Sequence, residues 1–499
     1  MIFCIHDLAS GKHDFDSLKK FNKPDSSNGV NELANARTIC LIMDCEVSFE
    51  SNFFNLLEES FRDQDLALLY TDFEYESEIT SVRSRVSPPN WSPERFLSND
   101  FLGPVLAVDF GMVQSSVKLE QSTRTALILT CLAEKLKVQL VEHVGYVISP
   151  KNLNLVTDAR NSEITQFLVD HRPHAKVLSS NTPWTLISNA GLAPKKISIV
   201  IPTRGSKKNI LGPVLITECI KSLLDQNFGN STVEVILVFD TDVNLNYLTT
   251  LKNINKSGLE LKFVEYAPPF NFSKKCNLGA GSASGEVVIF LNDDTIWSSP
   301  NSLLEIAGSA MLEGVGAVGA KLFFENYRIQ HAGHILREGF IDHAYFKDVD
   351  GFGPFGDLVV THEVVGVTGA CLAQRKSVWE SIGKWDESFP ASYNDVDYCF
   401  RIRELGMSIL QVNQAKLIHF ESLTRNPKVR PEEIEMILKR WDQSFIDDPF
   451  FRMAGHLPVI PESTVKRYWL YAKRIYRHEG LVGVLGLFVN VFRKMLRIK

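Results

Sequence analysis

Five consecutive apolar β-formers, Val287-Val288-Ile289-Phe290-Leu291, break without transition into Asn292-Asp293-Asp294. An apolar run without alternation describes a strand buried on both faces, as in a parallel sheet covered by helices. Two adjacent carboxylates at its end repel each other and call for solvent or a cation. The carboxyl edge of such a sheet is where α/β folds bind ligands, and paired hard oxygens there suit a divalent cation bridging to phosphates. The competing reading is a solvated turn, in which Asn and Asp are common.

The residues before this run repeat its logic. ISIVI (197–201) ends at Pro202, and Leu215, Cys219, Ile220 and Leu223 then recur at helical spacing. VEVILVF (233–239) runs into Asp240, a short helical stretch reaches about Ile254, and a third strand spans Leu261 to Tyr266. Ser273 to Ser284 reads as a helix and Glu286 to Leu291 as the fourth strand. Strands alternating with helices predict an α/β fold with a mostly parallel sheet. Thr203-Arg204, Asp240 and Asp293-Asp294 then fall on one edge of it. No G-x-G-x-x-G or G-x-x-x-x-G-K-[ST] is present, so neither dinucleotide nor P-loop chemistry is indicated.

Further along, VVGVTGACLAQ (364–374) has a small-residue centre, Thr368-Gly369-Ala370. Asn394-Asp395 open a helix whose stripe is Tyr398, Ile402 and Leu405 and whose stop is Gly406. A carboxylate there is favoured by the helix dipole, and a plain N-cap explains Asp395 as well as chemistry does. His419 follows an apolar pair; taken alone, such a histidine belongs to the core or the surface rather than to a metal.

A chain of 499 residues, 44% hydrophobic and 22% charged, accommodates two to four globular domains. The net charge of −6 gives no reason to expect nucleic-acid binding. Eight scattered cysteines without C-x-x-C spacing fit a reducing compartment and speak against a disulfide framework or structural zinc. The N-terminus carries no signal-peptide pattern. The longest apolar run, Leu481 to Phe492, is too short to span a bilayer. Between Lys466 and Lys499 nine Lys or Arg face one acid, with Trp469, Tyr471 and Tyr476 interleaved. That tail is either an interfacial segment for an anionic membrane or a terminal helix with a solvated basic face. A boundary falls at Asn181 to Lys196, giving a first module (1–180), a linker (181–196), a second module (197–450) and a basic helical segment (451–499).

Together, ISIVIPTRG, VILVFDTD, FNFSKKCNLGAGSASGEVVIFLNDDT, GAVGAKL, IQHAGHIL, VTGACLAQRKSVWESIGKWDESF, NDVDYCFRIRELG and IHFES resemble glycosyltransferase family 2, from about Lys196 to Arg425. The nearest likeness is to rhamnosyltransferase-like proteins of bacterial surface-polysaccharide biosynthesis. The resemblance implies a GT-A fold and a nucleotide-diphosphate sugar donor. It also implies a divalent cation, Mg²⁺ or Mn²⁺, and a glycan or lipid-linked glycan acceptor. On it, Asn292-Asp293-Asp294 stands for the metal-binding DXD element, with Asp294 and His419 on the metal and Asp293 nearer the ribose. Asp240 reads the nucleotide base beside Thr203 and Arg204, and Asn277 joins the donor side. Asp395 is the general base of a single inverting displacement. Thr368, Gly369, Ala370 and Asn394 face the acceptor, and Asn394 replaces the glutamate that the family usually places before its base. His331 is either a substrate contact or part of a structural loop.

The first half bears a weaker likeness. LLYTDFE (68–74) and PNWSPERFL (89–97) resemble the first module of two-module members, and RTICLIMDCE (37–46) sits where its DXD strand would be. STRTAL (122–127) stands in the base position without a carboxylate. A truncated, inactive scaffold is expected there. Two other classes remain open at this point. One is a sugar nucleotidyltransferase, of which Thr203-Arg204-Gly205-Ser206-Lys207-Lys208 is a faint echo; the other is an inactive scaffold or glycan-binding module. The expected location is cytoplasmic, with the tail offering attachment to the inner membrane face.

Overall fold

The computed structural model of the chain describes residues 2–7, 12–14, 37–43, 45–76, 83–114, 123–148, 158–178, 184–209, 212–243, 245–254, 257–337, 340–420, 429–441 and 448–452. In the first half these form β1 (Ile2–Asp7), β2 (Lys12–Asp14), β3 (Thr38–Met43), β4 (Val47–Phe49), β5 (Leu66–Glu76), β6 (Arg83–Val86), β7 (Val105–Asp109) and β8 (Lys137–Ile148). They make one sheet of order β2-β1-β3-β7-β5-β8-β4, with β6 on β5. A small hairpin of β9 (Lys176–Leu178) and β10 (Leu186–Ser188) follows.

The second half contains β11 (Lys196–Thr203), β12 (Thr232–Asp240), β13 (Leu259–Tyr266), β14 (Val287–Leu291), β15 (Thr295–Trp297), β16 (Val315–Phe323) and β17 (Ile329–His331). After these come β18 (His334–Arg337), β19 (Phe340–His343), β20 (His362–Glu363), β21 (Cys371–Arg375) and β22 (Ser408–His419). The large sheet runs β13-β12-β11-β14-β21-β16-β22-β15, with β17 on β16 and β20 on β22, while β18 and β19 pair as a separate hairpin.

The expected strands and helices of residues 197–291 are all present, and β11 to β14 are parallel as expected. Beyond β14 the sheet is mixed rather than mostly parallel. β21 returns antiparallel to both β14 and β16, and β15 is antiparallel to β22. The parallel strands are buried on both faces, which is why they read as unbroken apolar runs. Ile197, Ile199, Ile201, Val235 and Leu237 pack with Ile216, Ile220 and Leu303 on one side. Val200, Ile236, Val238, Val288 and Phe290 pack with Cys276, Ala280 and Tyr398 on the other.

The two halves repeat one topology. β3-β7-β5-β8-β4 and β14-β21-β16-β22-β15 share every pairing sense: antiparallel, antiparallel, parallel, antiparallel. The difference lies on the other side of the starting strand. β14 continues through the parallel β11, β12 and β13, whereas β3 has only the parallel β1 and then the antiparallel β2. The strands that end in Thr203 and Asp240 in the second half thus have no full counterpart among the described residues of the first.

The halves are held together by buried polar contacts. Arg95 is paired with Asp357, Ser92 donates to Glu363, and Glu94 N–H donates to Glu363 Oε1 at 3.2 Å. Arg452 reaches back to Asp72 at 2.8 Å. Residues 184–196, within the expected linker, are packed: Ser188 Oγ donates to Glu305 at 2.5 Å and Asn189 N–H to the same carboxylate at 3.1 Å. The helix Ser302–Ala310 lies so close that a Cβ on Gly308 would stand 1.8 Å from Asn189 O. Cys40 is disulfide-bonded, where the sequence spoke for a reducing compartment and against a disulfide framework, while Cys131, Cys219, Cys276, Cys371 and Cys399 are free. The basic tail from Lys466 lies outside the described residues. No helix among the described residues is long and apolar enough to cross a membrane.

Candidate active site

The carboxyl ends of β11, β12 and β14 bring Thr203, Asp240 and Asp293 to one edge. Thr203 Oγ1 donates to Asp293 Oδ2 at 2.6 Å and accepts the N–H of Gly205 at 3.0 Å. Asp240 is 1% exposed, and its nearest cations are Arg204 Nη1 at 3.2 Å and Lys275 Nζ at 3.3 Å. Apart from these two cations, no described residue hydrogen-bonds either carboxylate oxygen of Asp240. A buried carboxylate with ion partners but open lone pairs can still accept from a ligand N–H.

Lys275 escaped the sequence reading. It sits on the helix Phe272–Gly281, whose buried residues also include Ser273, Cys276, Gly279 and Ala280. Its Nζ donates to Thr203 O at 2.9 Å, and burial lowers its pKa against the pull of Asp240. A lysine buried on the inner face of a helix needs an anion beside it, and Asp240 supplies it. Asn277, placed on the donor side by sequence, does something else. Its Nδ2 donates to Trp385 O at 2.9 Å and its Oδ1 accepts Trp385 N–H at 3.0 Å. That amide clamps a turn, and Asn277 is not carried into the donor site.

The acidic triplet meets His419 because β15 pairs with the end of β22, with Thr295 opposite His419. Asp294 Oδ1 lies 3.1 Å from His419 Nε2, and Asn292 Nδ2 lies 3.2 Å from the same nitrogen. The ring's other nitrogen, Nδ1, is 2.7 Å from Gln330 Oε1. Since an amide oxygen only accepts, the hydrogen-bond network assigns the neutral ring's proton to Nδ1. Nε2 then presents its lone pair to the Asp294 carboxylate. Two acceptors at that distance repel unless a cation or a proton lies between them, so the donor set fits a divalent ion. Gln330 was missed as the residue that sets this tautomer; only the fold brings it to His419.

Burial and, next, the neighbouring Asp294 push the Asp293 carboxyl up to about 7. A raised acid means that the folded chain holds this proton more tightly than the unfolded chain does. Its contribution is therefore fully present below about pH 4 and is lost as pH rises through about 7. In EDTA, the unfolding free energy of the native chain should fall relative to that of Asp293→Asn across this window, by up to a few kcal/mol. Parallel pH profiles for the two proteins would contradict the shift.

Asp395 lies in the first turn of the helix Asn394–Glu404, preceded by Tyr393 in the left-handed region at φ 57°. Such a conformation is costly for an aromatic residue and marks an over-determined position. Asp395 Oδ2 accepts Gly369 N–H at 2.9 Å and Oδ1 accepts Val396 N–H at 2.9 Å. Each oxygen retains a lone pair. One residue on, Ala370 O accepts the N–H of Asn292 at 3.0 Å, which ties the loop beneath Asp395 to the acidic triplet. Asn394 is buried, and its Oδ1 accepts Asp395 N–H at 2.8 Å. It serves the helix start, and Ala370, another of the residues expected on the acceptor side, is also buried.

The same positions in the first half hold different residues. Val47, directly after Glu46, pairs with Ile148 where Thr295, directly after Asp294, pairs with His419. The helix before β8 begins Arg124-Thr125 where the helix before β22 begins Asn394-Asp395. Asp44 lies outside the described residues.

Residues 198–383 match the sequence profile of Glycosyl transferase family 2. The match stops short of Asp395 and His419. An uncharacterised protein of Sinorhizobium fredii, y4gI, is 25% identical over 461 residues, covering 85% of this chain and 49% of that protein. The O-antigen biosynthesis protein RfbC of Myxococcus xanthus is 28% identical over 393 residues, covering 74% of this chain and 29% of that protein. The chain thus spans about half or less of the length of these curated relatives. Among solved structures, a mannosyltransferase of Pyrobaculum calidifontis in complex with GDP-Man and Mn2+ aligns at TM-score 0.38 with 13% identity, over 63% of this chain and 79% of that one. Residues 1–349 of S. aureus TarS in complex with UDP-GlcNAc align at TM-score 0.36 with 17% identity, over 57% and 73% respectively.

Proposed function

We propose that this glycosyl transferase family 2 domain moves a sugar from a nucleotide-diphosphate donor to a hydroxyl of a glycan or lipid-linked glycan, with inversion, in surface-polysaccharide assembly. The observation that carries the reading is the facing pair of acceptors, Asp294 Oδ1 and His419 Nε2 at 3.1 Å, at the carboxyl end of a parallel strand. Asp294 and His419 are the residues that would hold a divalent cation. When bound, such a cation offsets the negative charge that grows on a departing diphosphate.

The remaining roles fall to the chain's own groups. Asp240, buried and open to a hydrogen bond, takes an N–H of the nucleobase, while Lys275 and Arg204 keep its charge in place. Thr203 orients Asp293 toward the ribose side. Asp395 accepts the proton of the incoming hydroxyl. That oxygen bonds to the anomeric carbon as the bond from that carbon to the diphosphate oxygen breaks, and the diphosphate leaves with the electron pair. No covalent enzyme intermediate forms, so the domain contributes mainly by alignment. The O-antigen role of RfbC supports the pathway assignment.

Melting curves with a panel of UDP-, GDP- and dTDP-sugars, each with and without Mn²⁺, test the reading and identify the donor. A ligand that binds only the folded state raises its melting temperature. A protein that no nucleotide sugar stabilises in the presence of metal is not this enzyme.

The first half is proposed to be catalytically silent. Glu46 is exposed, and Ile148 replaces the histidine that would complete a metal pair. Glu46→Ala should leave metal-dependent donor turnover within about two-fold of the native rate. A large loss in a well-folded Glu46 variant would mean that the first module takes part in the chemistry.

A further inference from the structure

β17 carries two adjacent polar residues, and only Gln330 has so far been given a task. His331 is 1% exposed. Its Nε2 lies 3.2 Å from the N–H of Thr368, and its Nδ1 lies 2.7 Å from Nδ1 of His343. These two contacts fix the protons. A backbone N–H only donates, so His331 Nε2 holds a lone pair and Nδ1 carries the hydrogen, directed at His343. Burial, reinforced by neighbouring imidazoles, keeps the pKa of His331 well below that of a free histidine, consistent with a neutral ring.

His334 packs against both, with ring centroids 5.0 Å from His331 and 5.2 Å from His343. One nitrogen from each of the three lies within 4.8 Å of the others, a grouping that invites a metal, and imidazole suits zinc. The proton count opposes it. A cation on His331 Nδ1 would move the ring's hydrogen to Nε2, where the Thr368 N–H already points. Two donors would then face each other at 3.2 Å. A hydrogen-bonded histidine pair satisfies both nitrogens of His331 without an ion.

The consequence lies one residue further along the chain. Thr368 N–H is held by His331, and the next amide, Gly369 N–H, is the one that Asp395 Oδ2 accepts. The turn is tightly seated: a Cβ on Gly369 would lie 3.3 Å from Trp385 and 3.6 Å from Asp395 Cβ. We propose that the His331–His343 pair is the positioning device of the general base, holding the Thr368–Gly369 turn in the pose from which Gly369 N–H orients Asp395. It rests on the reading of Asp395 as that base. The short strand β17 would then set both ends of the site, Gln330 the metal-side histidine and His331 the base loop.

The test uses the full chain with the nucleotide sugar selected by melting curves, Mn²⁺, and water as acceptor, reading nucleoside diphosphate release. His331→Leu removes both hydrogen bonds, whereas His331→Gln can accept from Thr368 and donate to His343. Displacing a reacting group by about 1 Å costs on the order of 10²-fold. His331→Leu should therefore lower kcat by roughly 10- to 100-fold with an unchanged donor KM, and His331→Gln should recover most of the loss. The double variant His331→Leu/Asp395→Asn should be no slower than Asp395→Asn alone, because the histidine acts through the carboxylate. Multiplying effects, or a Gln variant no better than Leu, would overturn the proposal. So would stoichiometric zinc in the purified chain that His343→Ala removes. If Asp395→Asn is itself fully active, the base assignment has failed; if it is inactive while His331→Leu turns over normally, only the positioning role has.

Discussion

Asp395→Asn is expected to keep donor binding and to lose turnover by about 10²- to 10⁴-fold, the usual contribution of a positioned general base. The amide cannot take up the proton of an incoming hydroxyl, while the donor contacts at Thr203, Asp240 and Asp294 are untouched. The substitution has one structural cost. Both oxygens of Asp395 accept backbone N–H groups, from Gly369 and Val396. An asparagine can keep one of these bonds, but its NH₂ must then face the other donor. Donor-induced melting shifts are therefore the necessary control: preserved shifts with lost turnover isolate the proton transfer. Native turnover in the variant would leave Asp395 as no more than a first-turn carboxylate of its helix.

What the sequence made legible follows from how local each signal is. β11 to β14 were readable because a strand buried on both faces must be apolar throughout, and the polar residues at their ends stand out against it. Asp293 and Asp294 stood out at the end of their own strand, which alone left a solvated turn and a cation site equally open. His419 looked ordinary alone, since the residues that give it meaning, Asp294 and Gln330, lie 125 and 89 positions away in the chain. Family resemblance, rather than pattern, singled it out. Lys275 was hidden for the opposite reason: in FSKKCNLGAG it looks like one of two surface lysines, and only the packing of its helix against β11 and β12 turns it inward. Asn277 misled because a polar residue on a donor-side helix has the right address, yet its amide is committed to the turn at Trp385. Residue identity gave only a weak likeness of the first half to the first module of two-module members, and the full repeat between the halves lies elsewhere. It emerges from strand order and pairing sense, which survive after Ile148 has taken the place of the histidine.

The metal pair gives the second large effect, and here the sign of the stability change separates the two readings of the acidic triplet. If Asp294 is only a polar turn residue, replacing it with alanine should lower stability, because a used hydrogen-bonding group is lost. If it is held beside His419 for a cation, the metal-free protein carries two acceptors 3.1 Å apart wherever no proton bridges them, and removing one of them relieves that repulsion. Its backbone carbonyl, which accepts Phe420 N–H at 3.0 Å, survives the substitution. Asp294→Ala should therefore melt at or slightly above the native chain in EDTA. It should lose the Mn²⁺-dependent stabilisation by nucleotide sugar, which at a hundredfold excess over Kd amounts to about 2.7 kcal/mol, and turnover should vanish with it. His419→Ala is the poorer probe, since it strands Gln330 and Asn292 without their partner and confounds metal loss with a folding cost of about 1–3 kcal/mol. Turnover that persists in excess EDTA, or an Asp294→Ala protein that is destabilised yet still responds to Mn²⁺, would return the triplet to the status of a solvated turn.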